Sequence, residues 1–309
     1  MQRRAFLRQA GLLAAIPFVP YSPWQSTTVP VFIDADTANE VDDLYAIVRA
    51  LLVPDWDIKG LSSAQWNHRL SPPQTVLESQ RLNEDLLRLM NRIDIPAPTG
   101  SEMIMGKPWG GTEARNSPAA QLMIATARRM PEGEKLPIIS LGAVTNVASA
   151  LALAPDIVSK VRCYSLGGRY FPDRKVWDKD EFNVRNDLNA TNYLFDLEGL
   201  ELHVMPINIL MDFKFKQQET LDRLMGKGPV WDYLATRWLT NGPDTSERIF
   251  WDLALVEAII KPSLAEEQVL NPPPENRQRT INVYTSIDTQ AMIDDWWNTV
   301  EKAFATEQR

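Results

Sequence analysis

The chain has 309 residues, 44% of them hydrophobic, with one cysteine and two histidines. Its 40 acidic residues outnumber the 32 basic ones, for a formal charge of −8 and a pI near 5.0. That balance argues against nucleic acid or an anionic membrane surface as the main partner. A single cysteine excludes an intramolecular disulfide and a cysteine metal cluster, and two histidines leave little room for a histidine-rich zinc site or a Ser-His-Asp triad.

The N-terminal segment, residues 1–28, reads as an address. In "RRAFLRQAGLLAAIPFVP", paired Arg3 and Arg4 precede Phe6-Leu7 and a short apolar run from Ala10 to Val19. It resembles a twin-arginine export signal and is too short, and too interrupted by Pro17 and Pro20, to span a bilayer. The expectation is a periplasmic or otherwise extracytoplasmic protein, with no membrane association once the signal is removed.

Residues 29–309 read as one α/β domain. Val29–Ala35 is an apolar strand and Val41–Leu52 a helix; Trp56–Ala64 is a second strand, followed by a helix over Gln74–Asn91. "DIPAPTG" is a short strand or loop. A helix over Pro118–Met130 leads to strand Leu136–Gly142, and another helix starts near Thr145. Strand Val161–Gly168 carries Cys163, read as a buried thiol. Helix Asn189–Phe195, strand Glu201–Ile209 and several C-terminal helices complete the pattern. Continuous apolar strands alternating with amphipathic helices imply a Rossmann-like, mainly parallel central sheet flanked by helices. Ligands of such sheets bind at the carboxyl ends of the strands. The ten tryptophans read chiefly as core and interface side chains.

The end of the first strand is where the chemistry concentrates. In "VFIDADTANEVDDLYAIVRAL", Asp34, Asp36, Glu40, Asp42 and Asp43 fall within ten positions. Like charges this close repel, and burying any of them unpaired is costly. Asp42 and Asp43 open a helix, where backbone N–H groups favour negative charge. Either the segment is a solvated acidic cap, or a hard divalent cation, Ca²⁺ or Mg²⁺, sits among the oxygens.

A hydrophobic strand ending in D-x-D resembles haloacid-dehalogenase-like phosphatases, with Asp34 as nucleophile. It also resembles the inosine-uridine nucleoside hydrolase family, in which a D-D pair follows at a helix start, as Asp42-Asp43 does here. Five further segments resemble that family in the same order: "GLSSAQWN" (Gly60–Asn67), "DIPAPTG", "SLGAVTNVASAL" (Ser140–Leu151), "DEFNVRNDLNA" (Asp180–Ala190) and "FWDLALV" (Phe250–Val256). "YSLGG" stands where the family has M-G-G, and the likeness spans roughly residues 29–265.

The resemblance implies a Ca²⁺-dependent hydrolase that cleaves the N-glycosidic bond of ribonucleosides or related ribosides. Asp36 would be the base and a metal ligand. Asp43, the carbonyl of Leu141 and Asp252 would be the other protein ligands, and Asp34 a supporting carboxylate. Asp42, Asn67, Glu181 and Asn183 would hold ribose hydroxyls. The family's tendency to assemble implies a homodimer or homotetramer. Three departures stand out. The interval from Asp36 to Asp42 is long, with Glu40 read as a loop anchor or an extra sugar contact. Trp251 occupies the place of a family His that protonates the leaving base; it could stack on a ring or simply pack. The stretch before Glu181 lacks a family Asn. His68 is the one imidazole expected near the site, and His203 is expected to be structural. A non-catalytic ribose- or sugar-binding protein is therefore a third reading.

Overall fold

The computed structural model describes residues 28–241 and 245–307; the export-type segment lies outside them. The first strand, β1 (Val29–Ala35), alternates its side chains between two cores. Val31, Ile33 and Ala35 enter one and Phe32 the other. The helix α1 (Asp42–Leu51) follows, with Asp42 and Asp43 in its first turn and Arg49 in its last, both favourable to the helix dipole. Next come β2 (Trp56–Ser63) and α2 (Thr75–Leu89). The "DIPAPTG" stretch is a loop touching β2 through a bridge between Thr99 and Ser63.

The helix α3 (Pro118–Arg128) starts where the Ser117 side chain accepts from the Ala120 N–H, with Pro118 in the first turn. It leads to β3 (Leu136–Ser140), α4 (Thr145–Leu153) and β4 (Val161–Leu166), which buries Cys163. A hairpin of β5 (Arg169–Phe171) and β6 (Val176–Asp178) precedes the short α5 (Phe182–Asn186) and α6 (Leu188–Asp196). Strand β7 (Glu201–Met205) stops short of the expected Ile209, because Pro206 has no N–H for the ladder and a 3₁₀ turn takes Ile207–Ile209.

The last third is less helical than its sequence suggests. Strands β8 (Lys214–Lys216) and β9 (Glu247–Ile249) pair with each other around α7 (Gln217–Leu224) and α8 (Pro229–Thr240). After α9 (Trp251–Ile260), strands β10 (Ala265–Leu270) and β11 (Ile281–Ile287) join the main sheet, and α10 (Thr289–Glu307) ends the described chain. Sequence periodicity hid β10 because it is an edge strand whose Glu266, Glu267 and Gln268 face solvent.

The resulting seven-stranded sheet runs β10-β11-β7-β4-β3-β1-β2, parallel throughout except for β10. One face packs α1, α2, α8, α9 and α10; the other packs α3, α4 and α6. Among the described residues, no helix is long and apolar enough to cross a membrane.

Candidate active site

At the carboxyl edge of β1, β3 and β4 a cavity of about 310 Å³ opens, lined by Asp36, Asp42, Asp43, Leu141, Glu181, Asn183, Trp251 and Asp252 among others. Asp34 is not part of its wall. It is fully buried beneath, where its Oδ1 accepts from Ser62 Oγ at 2.5 Å and from Asn146 Nδ2 at 3.0 Å. Burial lifts its pKa to about 6 against the pull of those two hydrogen bonds. Asn146 also donates to the Ser63 carbonyl, so one side chain ties the tips of β1 and β2 together. A carboxylate so enclosed is a scaffold rather than a nucleophile, which removes the footing of the phosphatase reading.

Asp36, one residue past β1, is buried against Gly142 just beyond β3. A Cβ at position 142 would lie 2.6 Å from Asp36 Oδ1, so the close approach requires glycine. Asp42 and Asp43 come from the first turn of α1, and Asp252 from the first turn of α9. One carboxylate oxygen from each of these three lies within 4.8 Å of the others. The Asp252 backbone N–H donates to Asp42 Oδ2 at 3.2 Å.

The electrostatics follow from that crowding. Burial, then the charge of Asp42, holds Asp36 well above the usual carboxylate range. Burial also raises Asp43, next aided by Asp36, and raises Asp252, next aided by Asp43. Asp42 is pushed to about 7 by burial and then by Glu40. Yet Asp36 Oδ2, Asp43 Oδ1 and Asp252 Oδ1 are buried with no hydrogen-bond partner among the described residues. Oxygens in that condition are expensive unless a cation takes them, and an all-oxygen set suits a hard divalent ion. The residues therefore fit a metal.

Those three partnerless oxygens sit on the three carboxylates the resemblance names as metal ligands, Asp36, Asp43 and Asp252. The tight trio contains Asp42, which the resemblance assigned to a sugar hydroxyl, whereas Asp36 sits beside it. The Leu141 carbonyl faces Asn183, whose Nδ2 donates to it at 2.7 Å. Glu181 caps α5, accepting from the N–H groups of Gly168, Asn183 and Val184, each at 3.1 Å. Glu40 forms the loop anchor through an ion pair with Arg248 at 3.4 Å.

Asn67 is not brought to this cavity. It is exposed, with its Oδ1 accepting from Ser71 Oγ, and lines a neighbouring cavity of about 680 Å³ with Gln65, Trp109 and Asn186. His68 stacks on Trp66, and His203 bonds Glu267 and Glu201 on the sheet; neither lines either cavity. Sequence reasoning missed Asn39, Arg169, Asp180, Arg185 and Ile207 in the wall, and also Ser62 and Asn146 as holders of Asp34. Asn146 was inside the segment "SLGAVTNVASAL", but nothing in the spacing says which aspartate its amide meets.

Comparison with known proteins agrees with this architecture. The model of the inosine-uridine preferring nucleoside hydrolase family matches residues 31–306. A curated relative, the pyrimidine-specific ribonucleoside hydrolase RihA of Escherichia coli O9:H4 (strain HS), is 29% identical over 186 residues. That match takes in 54% of this chain and 57% of the relative, so the likeness spans little more than half of the relative's length. Among solved structures, a plant nucleoside hydrolase, PpNRh1, superposes with a TM-score of 0.68 at 19% identity, over 88% of this chain and 98% of its own. The purine-preferring ribonucleoside hydrolase from Gardnerella vaginalis does so with 0.67 at 17% identity, over 89% and 99%. At such identities the structural likeness speaks for the fold. The family match covers nearly the whole described chain, and on it the protein belongs to the inosine-uridine preferring nucleoside hydrolase family.

Proposed function

We propose that the protein is a Ca²⁺-dependent N-glycosyl hydrolase that cleaves ribonucleosides or related ribosides to ribose and free base. The observation that carries this reading is the meeting of the Asp42-Asp43 pair with Asp252, more than 200 residues on, where Asp36, Asp43 and Asp252 each keep a buried oxygen without a partner among the described residues. Asp42, Asp43 and Asp252 would hold the ion, with Asp36 and the Leu141 carbonyl adjacent. When bound, such an ion acidifies water and anchors a sugar diol.

The chain's own groups do the rest. Asp36, raised in basicity by burial, accepts the proton of the attacking water. The surrounding carboxylates stabilise the positive charge that develops on the sugar as the glycosidic bond lengthens. Asn183, fixed through Leu141, and Glu181, fixed by three N–H groups, orient the ring hydroxyls. Trp251, the first residue of α9, offers an aromatic wall to the leaving group. Asp34 supports the strand tip from below.

Export by the twin-arginine route, a periplasmic location and a homodimeric or homotetrameric assembly belong to the same proposal, on the sequence grounds given above. The test is a riboside panel with the calcium-loaded protein, measuring free ribose, beside Asp36→Ala. Sugar release lost in that variant is expected. Sugar binding with no release from any riboside would leave the protein a sugar-binding member of the family instead.

A further inference from the structure

The cavity wall is not acidic throughout. Among the described residues, it contains two cationic side chains, Arg169 of β5 and Arg185 of α5. Asp180 links them. Arg169 Nη1 donates to the Asp180 carbonyl at 2.5 Å, and Arg185 Nη1 donates to Asp180 Oδ1 at 2.8 Å. Arg169 Nη1 also reaches Asp178 Oδ2 at 3.2 Å. Each guanidinium thus commits one of its nitrogens and keeps further N–H donors. The Arg185–Asp180 pair is exposed, with 59% and 73% of the side-chain surfaces accessible. Such a pair contributes little to stability, so the fold has no evident need of it. Two forked cations held by Asp180 in the wall of a cavity are suited to an oxyanion with several oxygens.

We infer that Arg169 and Arg185 are the anion-recognition part of this site, and that the substrate is a phosphate-bearing riboside, a nucleoside 5′-monophosphate. The inference rests on the hydrolase reading. If the sugar's vicinal hydroxyls meet a cation held by Asp42, Asp43 and Asp252, a phosphate on either of them would spoil the diol. The primary carbon, C5′, is the position left free to carry it. The reaction balances without a further reactant: water adds at C1′, and the C1′–N bond breaks with its electron pair leaving on the base. One water proton remains on the new sugar hydroxyl. The other passes through Asp36 and ends on the base, while the phosphate ester is untouched. The products are ribose 5-phosphate and the free base.

The test compares uridine, uridine 5′-monophosphate and orotidine with the calcium-loaded protein and with Arg185→Gln and Arg169→Gln. Arg185 is exposed enough for its replacement to leave folding intact. The expected kcat/KM favours the monophosphate over uridine by at least about tenfold, the least that one charge-assisted hydrogen bond supplies. Each variant should erode that ratio, and ribose 5-phosphate should be the sugar product. A ratio near one, equal losses on both substrates, or a preference for orotidine, whose anion sits on the base, would overturn the inference. Calorimetry with ribose 5-phosphate and ribose separates the two proposals. Tighter binding of the phosphate, weakened in Arg185→Gln, with no cleavage of any riboside would sink the hydrolase reading and leave the anion site standing. Equal binding of the two sugars would remove the anion site.

Discussion

Replacing Asp43 by Asn should stabilise the metal-free protein while removing its response to calcium. Asp43 has carboxylate neighbours on both sides, Asp42 and Asp252, with ligand oxygens within 4.8 Å. At an effective dielectric constant of about 20, two unit charges at that separation repel by about 3 kcal/mol. The protein can avoid the repulsion by keeping protons, at a cost of its own. Asp42 holds its proton up to about 7 against an ordinary value of 3.8, which at neutral pH corresponds to about 4 kcal/mol.

Either route makes the metal-free trio destabilising by a few kcal/mol, and the cheaper one sets the gain from removing a member. The amide introduced by Asp43→Asn can hydrogen-bond Asp252, so the net gain should be about 2–3 kcal/mol near pH 7 and should vanish near pH 4. The sign follows from the raised pKa values. The native state holds more protons than the unfolded chain between about pH 4 and 7, so wild-type stability without metal falls as pH rises through that window. Thermal unfolding in chelator should show Asp43→Asn melting several degrees above wild type at pH 7.5, with the order reversed by millimolar Ca²⁺. A variant that melts below wild type in chelator at that pH would refute the electrostatic account of the site.

Gly142→Ala puts a methyl 2.6 Å from Asp36 Oδ1; ribose release should fall about a hundredfold by displacement of that carboxylate, with 1–3 kcal/mol lost in urea unfolding at most, as is roughly usual for overpacking. Arg49→Met leaves Glu257 buried without its partner, now held at 2.7 Å, and should lower stability by about 3–5 kcal/mol in a denaturant titration; an unchanged midpoint would contradict it. Asn146→Ala strips Asp34 of one of two donors and frees the Ser63 carbonyl. It should cost about 2 kcal/mol and, by loosening the strand tip, raise the calcium concentration needed to protect against heat.

Much of this site could be read from sequence because its acids sit at element junctions. The D-x-D motif follows an apolar strand, and Asp42-Asp43 and Asp252 each begin an apolar helix, so their positions along the fold were legible before any coordinates. What the sequence did not hold was direction. It could not tell that Asp34 turns under the site to Ser62 and Asn146, or that Asn67 opens onto the adjoining cavity. The missing strands β10 and β11 have the same origin. β11 finds its parallel partner in β7, far earlier in the chain, and β10 is an exposed edge rich in glutamate that gives no apolar alternation to count.

The convergence of the acids is a property of two helices more than of the loops around them. Both α1 and α9 aim their N-termini at the cavity, and the partial positive charge there offsets some of the cost of bringing Asp42, Asp43 and Asp252 together. Asp42 goes further and accepts the Asp252 N–H, so one helix caps the start of the other. Toward their opposite ends, Arg49 of α1 grips Glu257 of α9 and Asp295 of α10, at 2.7 Å and 2.8 Å. The two helices thus meet in carboxylate repulsion at one end and an ion-paired clamp at the other, with apolar side chains of both packed in the same core between. A cation at the acidic end would then relieve the one interface in the pair that the chain cannot satisfy by itself.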